Sequence, residues 1–100
     1  MNSADADRKV FLLTFNGDAK PFTDFLDMRP EVLNWFKILS NAILILARSD
    51  ASALATLIRV QLPIMWFVIT EVDTFKTNGW INKRVWDFIN KPWPSGRWEP

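Results

Sequence analysis

The side chains in this sequence that could take part in catalysis or metal binding are few, and most of them are carboxylates. The 100 residues contain no cysteine and no histidine, which excludes disulfides, thiolate nucleophiles, imidazole bases and the usual zinc sites. One candidate site is the triplet Asn16, Gly17 and Asp18, directly after an apolar segment, in which Asp18 is the one carboxylate. Because Asn, Gly and Asp are common turn residues, the same triplet also predicts a turn and a helix cap. One carboxylate gives a magnesium ion little to bind, so we expect no metal and no other cofactor.

A second set of candidates, suited to binding nucleic acid, lies near the C-terminus. Basic side chains alternate there with tryptophans, a pattern that can hold phosphates and stack on bases. The candidates are Trp80, Lys83, Arg84, Lys91, Trp93, Arg97 and Trp98. The net charge of only +1 creates no general field that attracts nucleic acid. The alternative interpretation is a solvated basic helix face, with a tail packed on its own domain or on a neighbour.

Apolar periodicity and turn residues divide the chain into predicted elements. The strands cover residues 9–15, 32–39, 42–47 and 64–72, and the helices cover 21–28, about 50–62 and 79–90. The first seven residues predict a flexible leader, and the Pro- and Trp-rich residues 91–100 predict an extended tail. We expect one domain with its folded core over residues 8–90.

The segment from Val32 to Arg48 decides between two architectures. As one helix it would be apolar nearly all round, with its polar residues scattered over several faces. As two strands it has apolar runs on either side of Ser40 and Asn41, which supply the chemistry of a turn. We therefore predict a hairpin. A helix opening at Pro30 is the alternative, because short apolar runs are ambiguous.

The order β-α-β-β-α-β with an added C-terminal helix predicts an α+β domain of ferredoxin-like type, with helices on one face of an antiparallel sheet. In this order, in length and in the sequence T-F-N-G-D after an apolar first strand, the chain resembles the small ferredoxin-like nucleases of the CRISPR adaptation family and the related bacterial toxin endoribonucleases. The resemblance covers residues 8–72. It implies a metal-dependent nuclease in which Asp18 acts with an acidic group from a dimer mate. The chain departs from this family at the strand end, where Asn16 replaces an aspartate.

Large apolar side chains on both faces of the predicted sheet indicate a contact surface. Trp35 and Phe36 are adjacent in one strand, as are Trp66 and Phe67 in another, so each pair spans both faces. One face forms the core, and the other is covered either by the third helix or by a second copy. We therefore expect a homodimeric binding domain rather than an enzyme, with protein as the first choice of partner. The nuclease and a nucleic-acid-binding regulator are the alternatives.

The sequence also predicts a cytoplasmic location without a membrane span. Its longest apolar run, residues 42–47, is far shorter than the roughly 20 residues that cross a bilayer as a helix. The polar, acidic N-terminus lacks the basic start and apolar run of a secretory signal.

Overall fold

The computed structural model describes residues 8–73, 76, 78–79 and 83–90. Within these residues the chain is α+β, with four strands in one antiparallel sheet and three helices. The strands are β1 (Lys9–Phe15), β2 (Val32–Leu39), β3 (Ala42–Ala47) and β4 (Phe67–Val72). The helices are α1 (Lys20–Met28), α2 (Ala51–Gln61) and α3 (Lys83–Asn90).

The hairpin between β2 and β3 confirms the predicted reversal at Ser40 and Asn41, and the single-helix alternative is wrong. The two strands pair antiparallel up to Leu39 opposite Ala42, so the polar pair forms the tip. All six residues of β3 are buried. A strand packed on both faces explains why this run is apolar on both parities.

The sheet has the order β2-β3-β1-β4, with β3 and β1 in the centre. β1 pairs antiparallel with both β3 and β4. Because successive side chains of a strand point to opposite faces, the odd-numbered residues of β1 and β3 face one layer of helices. Their even-numbered residues face the other side.

The main core lies between the sheet and the helices α1 and α2. Phe22, Phe25 and Leu26 of α1 follow the i, i+3, i+4 spacing of one helix face and are buried. Leu54 and Ile58 of α2 are completely buried. They pack with the odd-numbered residues of the central strands, among them Phe11, Leu13, Phe15, Ile43 and Ile45. This layer matches the predicted pair of helices on one face.

The opposite face of the sheet is covered by α3. Val85, Phe88 and Ile89 of this helix are buried in a second apolar cluster, whose sheet residues are Val10, Phe36, Leu44 and Leu46. The rings of Phe36 and Phe88 lie 5.7 Å apart, measured between centroids. Of the two predicted covers for this face, the structure shows the third helix.

The start of β4 differs from the prediction, because the strand begins at Phe67 and not at Ile64. The chain first makes a turn after α2, in which the Met65 N–H donates to the Leu62 carbonyl at 3.1 Å. Pro63 ends the helix, as predicted, but residues 63–66 serve to bring the chain back to the sheet. The pairing with β1 then starts with Phe67 opposite Phe15.

Some predictions fall on residues that the structure does not describe. The leader at residues 1–7, the tail at residues 91–100 and residues 80–82 of the helix predicted over 79–90 are in this group. Within the described residues, no helix has the length and apolar character that crossing a membrane requires.

An ion pair joins the two ends of the turn between α1 and β2. Arg29 donates from Nε and Nη2 to the carboxylate of Glu31, with a distance of 3.2 Å from Nη2 to Oε2. This hydrogen bond from Arg29 lowers the pKa of Glu31, against the smaller opposing effect of burial. A carboxyl whose pKa is lower in the folded state adds stability above its unfolded pKa, and this is lost as the pH falls through the folded pKa.

We expect Glu31→Gln to lower the free energy of unfolding at neutral pH by about 0.5–1 kcal/mol, the range of a partly exposed ion pair. The difference from wild type should shrink as the pH falls below the ordinary carboxyl pKa of 4.5 and the wild-type Glu31 takes up a proton. Urea titrations at neutral and acidic pH measure it. Asp24→Asn is the control, since it breaks only the exposed pair with Lys20. A difference that stays constant down to the acid limit would contradict the assigned pKa shift.

Candidate binding groove

The two edges of the sheet, β2 and β4, differ in regularity. The pairing of β2 with β3 shifts register between Val32 and Asn34 and again between Lys37 and Leu39. β4 pairs with β1 in six consecutive positions, from Val72 to Phe67. Bulges and charged side chains on an edge strand discourage the pairing of a further strand. The β2 edge is therefore protected against pairing with a further strand, whereas the β4 edge has no such irregularity.

The backbone hydrogen bonds show which groups β4 leaves for an additional strand. The Asn16 N–H donates to the Trp66 carbonyl at 3.1 Å, and the Thr14 hydroxyl donates to the Val68 carbonyl at 3.5 Å. The backbone N–H and C=O groups of the even-numbered residues of β4 therefore point towards β1. Because the backbone groups alternate along an antiparallel strand, the N–H and C=O groups of Phe67, Ile69 and Glu71 point away from β1. Among the described residues no strand pairs with this outer side of β4.

An open groove of about 1060 Å³ runs beside this edge, between β4 and α2. We call it the β4 groove. Its lining comprises Thr14, Phe15, Asn16, Ala51, Ser52, Ala55, Arg59, Pro63, Met65, Trp66, Phe67, Val68 and Ile69. This volume is slightly above the range of roughly 300–1,000 Å³ for small-molecule pockets. An open groove of this size beside a free strand suits a polypeptide segment.

Small side chains on α2 leave room for the groove. Ala51, Ala55 and Arg59 repeat every four residues on one side of the helix, next to the face that buries Leu54 and Ile58 in the core. The helix is fixed at its start by Asp50, whose carboxylate accepts a 2.8 Å hydrogen bond from the Ala53 N–H. This is an N-cap interaction, which satisfies one of the free N–H groups of the first turn. The wall of the groove is thus part of a well-anchored helix.

Two large, exposed apolar side chains lie at the same edge. Six large apolar residues in the described part of the chain are exposed, and two of them, Trp66 and Val68, line the β4 groove. Trp66 is 80% exposed. Tryptophan is among the residues that contribute most often to binding energy in protein interfaces.

Charges around the groove are sparse. Arg59 is the one charged residue among the described residues that line it, and no ion pair joins it to any other described residue. At the other end of β4, Glu71 lies 3.7 Å from the ammonium group of Lys9. Both partners of that pair are largely exposed, with 55% and 42% of their side-chain surfaces accessible. Arg59 therefore offers an accessible positive charge on α2 beside the groove, and Glu71 offers an accessible negative charge on β4.

Asp18, the predicted catalytic acid, lies at the start of α1 as an exposed residue. Its carboxylate accepts a 3.1 Å hydrogen bond from the Lys20 N–H, the first residue of the helix. Within the described residues there is no group of three or more Asp, Glu, His or Cys side chains that could hold a metal ion. The neighbouring Asn16 lines the β4 groove. The triplet lies between β1 and α1, with Gly17 at a φ of 90° that favours glycine. The helix cap predicted there is wrong, because the N-cap residue is Ala19 and no side chain forms a cap hydrogen bond at that position.

The predicted nucleic-acid candidates are only partly within the described residues. Lys83 and Arg84 are exposed on α3, and Lys83 forms a 3.4 Å ion pair with Asp87 one turn further along. Trp80, Arg97 and Trp98 lie outside the described residues, as do Lys91 and Trp93.

The main features of the β4 groove were not predicted from the sequence. The sequence indicates Trp66 only as one member of an adjacent aromatic pair, and it does not single out Arg59. One available signal was the spacing of Ala51, Ala55 and Arg59, which puts two small residues and a cation on one helix side.

Comparisons of this chain with protein-family models, with curated proteins and with solved structures found no match. No functional residue is therefore carried over from a relative.

Proposed function

We propose that this chain is a small ferredoxin-like interaction domain, which binds an extended polypeptide segment as an added strand on β4. The antiparallel order β2-β3-β1-β4 and the β-α-β-β-α-β connectivity support the ferredoxin-like assignment, with α3 as the addition to it. Since one fold serves many functions, the fold by itself does not indicate what the domain binds.

The observation that carries the proposal is the regular free edge beside an apolar groove. Strand addition takes its affinity from main-chain hydrogen bonds and its specificity from pockets that receive alternate side chains. The outward backbone groups of Phe67, Ile69 and Glu71 provide the partners for main-chain hydrogen bonds. The β4 groove provides the pockets, because side chains of an added strand that point towards α2 would enter it.

The composition of the groove favours a polypeptide over nucleic acid. A nucleic-acid strand is held mainly through its phosphates by several basic side chains. Arg59 is the one cation among the described lining residues, and the rest are apolar or small polar residues. An extended peptide with apolar side chains and a carboxylate fits this lining better.

Trp66→Ala tests the proposal. Short random peptides displayed on phage are selected on sparsely immobilised wild-type protein, and the affinity of the enriched peptides is measured by fluorescence anisotropy. We expect the variant to bind them roughly tenfold more weakly or worse, because an exposed tryptophan in an interface is a typical hot spot. The matched control is Leu39→Ala, which removes an exposed apolar side chain at the tip of the hairpin and should leave the affinity unchanged.

Two results would contradict strand addition at β4. One is a set of selected peptides whose affinity is equal for wild type and Trp66→Ala. The other is a set that binds Leu39→Ala as weakly as Trp66→Ala, which would indicate a general apolar adhesion and not a site.

A further inference from the structure

We infer that the strand added to β4 is the β4 strand of a second copy, arranged antiparallel about a twofold axis at Ile69. This inference rests on the proposed function, since it names the partner of the same edge. It replaces the sheet-to-sheet pairing suggested by the sequence, because α3 covers the sheet face that such a dimer would use.

The register follows from which backbone groups point outward. Two strands exchange hydrogen bonds only at residues whose N–H and C=O groups face each other, and on β4 these residues are Phe67, Ile69 and Glu71. Centring the pairing on Ile69 sets Ile69 opposite its own copy, and Phe67 opposite Glu71 of the second copy. A centre at either end of the strand leaves outward groups of β4 without a partner in β4. The register at Ile69 uses all of them.

The accessible charges of the edge complement each other in this register. Phe67 and Arg59 both line the same groove, and Glu71 of the second copy would lie opposite Phe67. The side chains of residues 67, 69 and 71 all point to the α2 side of the sheet. Glu71 of each copy would therefore approach Arg59 of the other. Its present pair with Lys9 is long and exposed, so Glu71 can exchange one cation for the other.

The other side of the sheet supplies apolar contacts in the same arrangement. The even-numbered residues pair so that Trp66 lies opposite Val72 of the second copy and Val68 lies opposite Thr70. Trp66 and Val68 are 80% and 65% exposed in the single chain. One twofold contact thus covers both exposed side chains in each copy, as an interface made of the same patch on two subunits requires.

Charge exchange tests the inference by sedimentation equilibrium on the full chain. Wild type should have twice the monomer mass of 11.6 kDa. Arg59→Glu alone and Glu71→Arg alone each place like charges together twice, and we expect the dimer dissociation constant to rise roughly tenfold or more. The double variant R59E/E71R reverses both pairs and should dimerise again. A mixture of the two single variants should form a heterodimer, because its charges are complementary.

An engineered crosslink tests the register. The chain has no cysteine, so Ile69→Cys introduces a single thiol that would face its own copy. Directly opposed residues of a hydrogen-bonded pair lie about 5.5 Å apart between Cα atoms, within the range of a disulfide. Mild oxidation should give a covalent dimer of Ile69→Cys and not of the control Leu39→Cys, which lies at the tip of the β2-β3 hairpin.

The inference and the proposed function fail on different results. A wild-type monomer at micromolar concentration, or single variants that dimerise as wild type does, would overturn the second copy as partner. If selected peptides still bind such a monomer in a manner that depends on Trp66, strand addition stands with another partner. If they do not, both proposals fall.

Discussion

Phe88→Ala is expected to lower the free energy of unfolding by about 3–5 kcal/mol, the usual cost of removing a fully buried phenylalanine side chain. Phe88 is completely buried on α3, and its ring packs against that of Phe36 on β2. The helix that carries it covers Val10, Leu44 and Leu46 on the sheet. Since small domains have a total stability of about 5–15 kcal/mol, this change alone removes a large part of it. Urea titration measures the loss.

The surface control for this prediction is Lys83→Ala on the same helix. Lys83 is exposed and makes one i, i+4 ion pair with Asp87, so its removal should cost no more than about 0.5 kcal/mol. Phe88→Ala should also bind a hydrophobic dye that wild type does not, because the second sheet face loses its cover. Equal stability of Phe88→Ala and wild type would mean that α3 does not hold that face.

Proline at two adjacent positions of β4 should have opposite consequences for folding and for binding. The Thr70 N–H points towards β1, opposite Leu12, so Thr70→Pro removes a ladder hydrogen bond and forces the strands apart. We expect a loss of at least about 2 kcal/mol of stability, from a buried acceptor left without its donor and from the clash. The Glu71 N–H points outward, and proline is tolerated on an edge strand in that orientation. The free energy of unfolding of Glu71→Pro should therefore lie within about 1 kcal/mol of the wild-type value.

For binding, Glu71→Pro is the variant with the larger expected effect. Glu71→Pro keeps the fold but presents a proline ring where an added strand needs a donor, so strand addition should be abolished. Circular dichroism during thermal unfolding gives the stability of both variants, and peptide anisotropy together with sedimentation gives the binding. A stable Glu71→Pro that still binds as wild type does would show that the outer side of β4 is not used. A stable Thr70→Pro would show that the strand's hydrogen bonds alternate in the other sense.

The elements that depend on local chemistry could be predicted from the sequence. The turn at Ser40 and Asn41, the helix that begins after Asp50 and the end of that helix before Pro63 all depend on residues within a few positions of each other. The buried stripe of α3 at Val85, Phe88 and Ile89 was also visible, because its spacing is that of one helix face. Local rules suffice where capping, turn formation and helical periodicity decide the outcome.

The features that depend on how distant segments meet could not be predicted in the same way. Apolar residues from Ile64 onward look like strand residues, but the turn at Met65 shortens β4 to the residues that β1 can pair. The sequence showed that α3 has an apolar side, while only the fold decides which sheet face it covers. The β4 groove brings Arg59 and Asn16 together from positions far apart in the chain. Sequence patterns do not predict that two distant residues such as Arg59 and Asn16 line one groove, unless a known motif contains both.

The register shifts on β2 limit how far copies of this chain can assemble. If two copies join through β4, both outer borders of the combined sheet are β2 strands, and each is interrupted near Asn34 and again near Lys37. A strand border of this kind is a poor template for further chains, and a twofold contact leaves no second β4 to extend it. Assembly would stop at two copies. A chain with an exposed edge strand is thereby protected from polymerising into fibres at high concentration.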